Sequence, residues 1–548
     1  MHGERFHISG NIVDVVRERV YPGTLLIDGG KITRIREDSG PYSSYLIPGL
    51  VDAHVHIESS MLTPVEFARV ASTHGTVACV SDPHEIANVL GMEGVDYMIR
   101  DSTLTPLKFF FGAPSCVPAT PFETSGAVIG ADEIAALLAR KEIRFLSEVM
   151  NYPGVVAREP SLMKKIEAAR ALSKRVDGHA PGLRGETLAR YVSAGIETDH
   201  ETPDMDEALE KIGLGMKILI REGSAAKDFE RLEGLIAKHS GMCMLCTDDM
   251  HPDDLIRSHI DGLVRRAIRK GHDPMNVLRC ASLNPVRHYG LPVGLLQEGD
   301  PADFAVVDDL GNFHVLKTFV DGELAAEEGR PLLGPRTPEI VNVFRALPKG
   351  IEDFRIRDRG EKANVIEAGD GLLITGWTRE TPRVINGFAV ADADRDILKI
   401  AVVNRYRDAP PSVGFVKGFG LRHGAIASSV AHDSHNIVAV GASDEALCSV
   451  VNTLVANRGG LAATNRDGRD FLALPIAGLM SDKDGWETAS RYSRLQRLAG
   501  ELGSPLSAPF ITLSFMALIV IPKLKMSDQG LFDAESFSPI DVFEKPRR

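Results

Sequence analysis

Residues 46–57 read LIPGLVDAHVHI, an apolar run that ends in His54 and His56. Side chains two apart on a strand share a face, so both imidazoles project to one side at its C-terminal end and can chelate one metal. The pattern recurs seven times before Gly290: GTVACVSDPHEI (75–86), LKFFFGAPSCV (107–117), IRFLSEVM (143–150), VDGHAP (176–181), GIETDH (195–200), MKILIREG (216–223) and MCMLCTDD (242–249). An amphipathic stretch follows each run, from VEFARVAST (65–73) to KDFERLEGLIAKHS (227–240) and DDLIRSHIDGLVRRAIRKG (253–271). Eight strands each followed by a helix predict an α/β chain built on a closed (β/α)8 TIM-like barrel over 46–290.

Around the barrel, residues 1–45 and 291–335 read as short strands separated by turns, at Pro22-Gly23 and Gly29-Gly30 among others. The ends of a barrel lie near one another, so the two segments are expected to combine into a small flanking β-sandwich. A further α+β domain is expected over 336–548, after a Pro-rich link.

In such a barrel the site lies where strands end, so the polar residues there carry the reading. They are His54 and His56, His84 and Glu85, Glu148, His179, His200, Arg221, and Asp248 with Asp249. Nitrogen and oxygen donors of this kind suit a pair of divalent ions, with Glu148 as the bridge between them. Two cations that share a water depress its pKa and make a hydroxide nucleophile. Asp248, a ligand and acceptor, is placed to take the proton and return it to the leaving group. Asp249 either touches the substrate or caps the following helix.

Composition narrows the partners. A net charge of -13 repels nucleic acid and anionic lipid. Six cysteines over 548 residues point to a reducing compartment, and the pair Cys243 and Cys246 reads as core rather than metal ligands. The opening MHGERFHISGNIVDVV has no signal-peptide pattern, and the most apolar stretch, 510–521, is short of the ~20 residues of a membrane span. A cytoplasmic enzyme is expected, without nucleic-acid or membrane partners.

IPGLVDAHVHIESS, SDPHEIANVLG, APSCVPAT, SEVMN, DGHAPG, TDHE, CTDDMHPDD and the later HDSHNIVAVG together resemble the adenine deaminase branch of the amidohydrolase superfamily, over nearly the whole chain. The resemblance implies deamination of adenine to hypoxanthine and ammonia at two divalent metals, manganese or iron with zinc as the alternative. It also implies that His54, His56 and Asp248 hold one metal and His179 and His200 the other, with Glu148 where many relatives place a carboxylated lysine. His84 and Glu85 then either protonate the purine ring, hold the base, or serve only as hydrogen-bonding loop residues. Arg221, Glu222 and Ser224 at the seventh strand end are substrate-pocket candidates, with Arg221 paired to Glu222 or a neighbour as the alternative. The 431–436 loop, with His432, Asp433 and His435, is a second metal site, a structural turn or, as favoured here, a lid that brings His432 and His435 to the substrate. A homodimer is the expected assembly. Two other readings remain at this stage: the same chemistry on another aminopurine or cyclic amide, and a catalytically silent scaffold.

Overall fold

The computed structural model describes residues 5–465 and 468–544, so residues 1–4 of the opening segment and the last four of the C-terminal segment lie outside it. Four strands lead in: β1 (Phe6–Asp14), β2 (Arg19–Asp28), β3 (Lys31–Glu37) and β4 (Tyr45–Pro48). All eight apolar runs then become parallel strands: β5 (Leu50–Val55), β6 (Thr76–Ser81), β7 (Lys108–Ala113), β8 (Ile143–Val149), β9 (Arg175–Gly178), β10 (Thr198–Asp199), β11 (Lys217–Arg221) and β12 (Cys243–Cys246). Ladders join β5 through β9 in sequence, and β10 through β12. The ring closes where His56 N–H donates to the Asp248 carbonyl at 3.1 Å and Asp248 N–H to the His54 carbonyl at 2.9 Å. Every residue of β5, β6 and β12 is buried, as expected of strands covered on both faces.

The helices follow the amphipathic stretches, with two breaks. The seventh divides into Phe229–Leu232 and Leu235–His239, and the eighth into Pro252–Leu255 and Ile260–Arg269. At the second break His259 is fully buried, its Nδ1 2.7 Å from Thr76 Oγ1 and its Nε2 2.9 Å from Asp52 Oδ2. The barrel base thus claims a residue that the periodicity had assigned to a continuous helix. A further helix, His84–Leu90, starts directly after β6 and carries two of the expected site residues.

After the barrel come β13 (Phe304–Val307), β14 (Val315–Val320), β15 (Glu323–Glu327) and β16 (Arg330–Pro331). They join the first four strands in one eight-stranded sheet, in which β4 pairs parallel with β1 and antiparallel with β13. Because β4 runs into β5 through Gly49, this sheet is anchored at the barrel's first strand.

Beyond the irregular segment 332–350, a second eight-stranded sheet runs from Ala363–Glu367 to Arg469–Ala473. One face packs on helix Asp444–Asn457 through Ala401, Val403, Leu447, Val450 and Leu454. The other face, with Ile400, Val402, Ile426 and Val440, shares a continuous apolar core with Ile57, Met61, Leu62 and Ile86 of the barrel mouth. That shared core holds the C-terminal segment over the strand ends.

Packing inside the ring is close at Gly112 of β7. An added Cβ would fall inside contact distance of Ser147 Oγ and 2.7 Å from the Phe145 ring. Gly112→Ala is therefore expected to lower the unfolding free energy by about 1–3 kcal/mol, read from urea or thermal denaturation.

Candidate active site

The closed ring brings the polar strand ends together. His54 Nε2 and His56 Nε2 lie 3.3 Å apart. His56 Nε2 is 3.2 Å from both Glu148 Oε1 and Asp248 Oδ1, and His54 Nε2 is 3.4 Å from the same Asp248 oxygen. On the far side, Glu148 Oε2 is 2.7 Å from His179 Nδ1 and 3.4 Å from His200 Nε2. All six side chains are buried. Asp248 sits at φ 56°, a left-handed turn at the strand end that asparagine and aspartate tolerate best.

Electrostatics follow from this crowding. Burial pushes the Glu148 carboxyl up, but the His200 and His179 imidazoles outweigh it and hold Glu148 well below the usual carboxylate range. Asp248 is held low in the same way, against burial, by His200, His54, His56 and Arg221. Burial and the neighbouring His54 lower His200 to about 3, against the pull of Glu148 and Asp248. His56 Nδ1 donates to the Asp82 carbonyl at 3.1 Å, which turns its Nε2 lone pair inward.

The donor set fits divalent metals. Groups such as His54, His56 and Asp248, or His54, Glu148 and His200, have ligand atoms all within 4.8 Å of one another. Two imidazole Nε2 atoms facing each other between two ionised carboxylates are satisfied by a cation at their centre, and nitrogen with carboxylate oxygen suits borderline and hard ions.

The remaining expected residues separate into two sets. His84, Glu85, Asp249 and His432 line the cavity above the cluster, together with Met150, Glu201, Leu373, Asp433, Phe515, Leu518, Val520 and Ile521. Asp249 accepts a 2.5 Å hydrogen bond from Ser59 Oγ, while the next helix has His251 at its N-cap, so Asp249 is not that helix's cap. Three expected substrate contacts lie behind the cavity wall. Arg221 spends its guanidinium on Glu201, on Asp228 at 2.8 Å and on Asp248 Oδ2 at 2.9 Å. Ser224 Oγ donates to Asp254 at 2.7 Å and receives the His251 N–H, which turns it away from the cluster. His435 stands behind Glu85, whose two oxygens are bound by His432 Nδ1 and His435 Nε2. Glu85 and Asp249 push His432 up to about 9 despite burial, whereas burial holds His435 down at about 4. The carboxylate is thus paired with one charged and one neutral imidazole.

The 431–436 loop therefore reaches over the barrel mouth. Sequence reasoning missed the apolar part of this cover. Leu373, Phe515, Leu518, Val520 and Ile521 form a satellite cluster with Ala225 of the barrel, and Phe515 stacks on His432 at 5.3 Å between ring centroids. Nothing in the 510–521 run distinguishes a cavity roof from ordinary core. Asp82 and Glu201 were also given no role, although their places beside His84 and His200 in the chain pointed to the site.

The roof is fastened by Lys525, fully buried, whose ammonium donates to the Leu373 carbonyl at 2.7 Å and the Phe515 carbonyl at 2.9 Å. Burial lowers its pKa from 10.5 to about 7. Between those values the unfolded chain binds the extra proton, so the Lys525 contribution to stability rises with pH through that window and is flat below it. Urea titrations of wild type and Lys525→Met from pH 6 to 10 are expected to show the stability difference shifting toward wild type as pH rises.

Comparison with known proteins gives two family matches: "Amidohydrolase family" over residues 45–325 and "Adenine deaminase C-terminal domain" over 372–538. An adenine deaminase of Sulfurovum sp. is 56% identical over 97% of this chain and 99% of its own length. One of Salinibacter ruber is 54% identical over 98% and 99%. Among solved structures, dihydropyrimidinase from Brevibacillus agri covers 60% of this chain and 96% of its own, at 14% identity and a TM-score of 0.48.

Proposed function

The chain belongs to the amidohydrolase family and, within it, to the adenine deaminases, and we propose that the barrel mouth hydrolyses adenine to hypoxanthine and ammonia. The observation that carries this reading is the convergence of His54, His56, Glu148, His179, His200 and Asp248 on one buried point beneath a cavity roofed by the C-terminal segment.

The centre binds divalent metal, as the family implies and the donors suit. In our reading there are two ions, manganese or iron. His54, His56 and Asp248 would hold one and His179 and His200 the other, with Glu148 as the carboxylate available to both. When bound, such ions supply Lewis acidity that lowers the pKa of water and so provides a nucleophile at neutral pH.

The chain's residues do the rest. Arg221 pins Asp248 Oδ2 and leaves Oδ1 directed at the centre. Asp248 accepts the proton of the attacking water and returns it to the departing amine, which leaves as ammonia. The new bond is C6–O and the broken bond is C6–N, so one water is consumed per adenine. His84, which Asp82 and Glu85 hold in the charged form against burial, stands at the cavity wall to place a proton on the purine ring nitrogen as electrons move onto it, and is replenished by the remaining proton of the added water; Glu85, a carboxylate fixed by His432 and His435, holds the base. Phe515, Leu518 and Ile521 cover the flat base and exclude bulk water, which strengthens the charges beneath.

We extend the reading to the rest of the chain. The segments 1–45 and 291–335, continuous with β4 in one eight-stranded sheet, are read as the small sandwich, a reading supported by their shared apolar core of Ile12, Leu25, Phe304 and Phe319. The barrel takes 46–290 except Leu46, Ile47 and Pro48, which pair in the flanking sheet, and the adenine deaminase-type domain takes 336–548. No helix among the described residues is long and apolar enough to cross a membrane. Six free cysteines agree with a reducing cytoplasm.

Ammonia release from adenine, guanine and a cyclic ureide by manganese-loaded protein tests the function. Adenine is expected to be the substrate; turnover of one of the others alone would reassign the pocket, and none by any would leave a silent relative. Asp248→Asn is expected to lower kcat by at least roughly 10²–10⁴-fold, the usual worth of a positioned acid–base group. His435→Ala is expected to lower kcat less than Glu85→Gln does, measured with the same assay, because His435 acts through Glu85.

A further inference from the structure

The barrel has one thin join, and it lies under the second pair of histidines. β10 is two residues long and makes no ladder with β9. Among the described residues a single backbone hydrogen bond crosses there, Glu197 N–H to the Val176 carbonyl at 3.0 Å. Yet His179 follows the end of β9 and His200 the end of β10, so the spacing of these two imidazoles depends on this join. His54 and His56 have no such dependence, since two backbone bonds tie their strand to Asp248.

Side chains supply what the ladder lacks. Lys211, in helix Met205–Gly213, is fully buried directly behind the join. Its ammonium donates to Asp199 Oδ2 at 2.5 Å, to the Ala180 carbonyl at 3.1 Å, to Thr202 Oγ1 at 3.2 Å and to Glu207. Ala180 is the neighbour of His179, and Asp199 the neighbour of His200. The other Asp199 oxygen receives the Glu201 N–H at 2.8 Å and the Ala180 N–H at 3.4 Å. Glu207 in turn accepts the Gly182 N–H at 3.0 Å. One ammonium therefore fixes the chain on both sides of the gap, immediately beside each imidazole.

We propose that Lys211 is a positioning residue for the metal held by His179 and His200, setting the separation of the two rings from behind. It touches neither metal nor substrate. The proposal rests on the reading of those histidines as ligands, and its particular consequence is asymmetry: the His179/His200 half of the centre loosens without Lys211, while the His54/His56 half does not. A loss of general stability would weaken both halves together.

The test is a manganese titration of metal-free protein, with bound metal counted by mass spectrometry and each affinity set by chelator competition. Wild type is expected to bind two ions per chain, and His200→Ala one. Lys211→Met, which keeps the length and removes the charge, is expected to retain the tighter ion and to bind the second roughly 10–100-fold more weakly, the usual cost of losing support behind a ligand. Circular dichroism checks that it folds. If the buried carboxylates left behind prevent folding, Lys211→Met with Glu207→Gln carries the same expectation with one fewer unpaired charge. Two ions at wild-type affinity in the folded variant, or parallel loss of both, would overturn the role of Lys211. Fewer than two ions in wild type, or two retained in His200→Ala, would instead overturn the metal pair, and this inference with it.

Discussion

Glu148 presents each of its carboxylate oxygens to a different group of imidazoles, Oε1 to His56 and Oε2 to His179 and His200, in a place buried from bulk solvent. Six polar side chains buried in such proximity are costly unless something satisfies their inward-facing lone pairs. That constraint orders the structure around it. The strands bring donors from positions as far apart as His54 and Asp248, and behind them Asp82, Arg221 and Lys211 hold those donors or the chain beside them in place.

The C-terminal segment is part of the same solution. Its shared core with the barrel mouth places Glu85 between His432 and His435, and its apolar run covers the cavity. An imidazole clamp of this kind fixes the orientation of a carboxylate that would otherwise be free to rotate at the wall of an open barrel. The satellite cluster of the roof is small beside the main core and separate from it, and Lys525 ties its two parts together through the Leu373 and Phe515 carbonyls.

Much of this was legible in the chain because a barrel strand makes two simple demands. Its body must be apolar and its C-terminal end faces the site, so the runs ending at His54-Val55-His56, Glu148, His179, His200 and Asp248 carried both the fold and the donors. Other features have no such signature. The partner of Arg221 depended on which carboxylates the fold brings near, and Ser224, three residues past a strand end, turned toward Asp254 instead of the cavity. The split of the eighth helix came from the buried bonds of His259, a long-range contact that local periodicity does not register. The 510–521 run was apolar whether it covers a core or a substrate, and only the tertiary fold separates those cases.

A crystal structure of manganese-loaded protein, with anomalous scattering used to locate the metal, addresses the foundation of this scheme. Two peaks are predicted, one among His54, His56 and Asp248 and the other at His179 and His200, with Glu148 reaching both. A single peak, or metal bound away from Glu148, would contradict it.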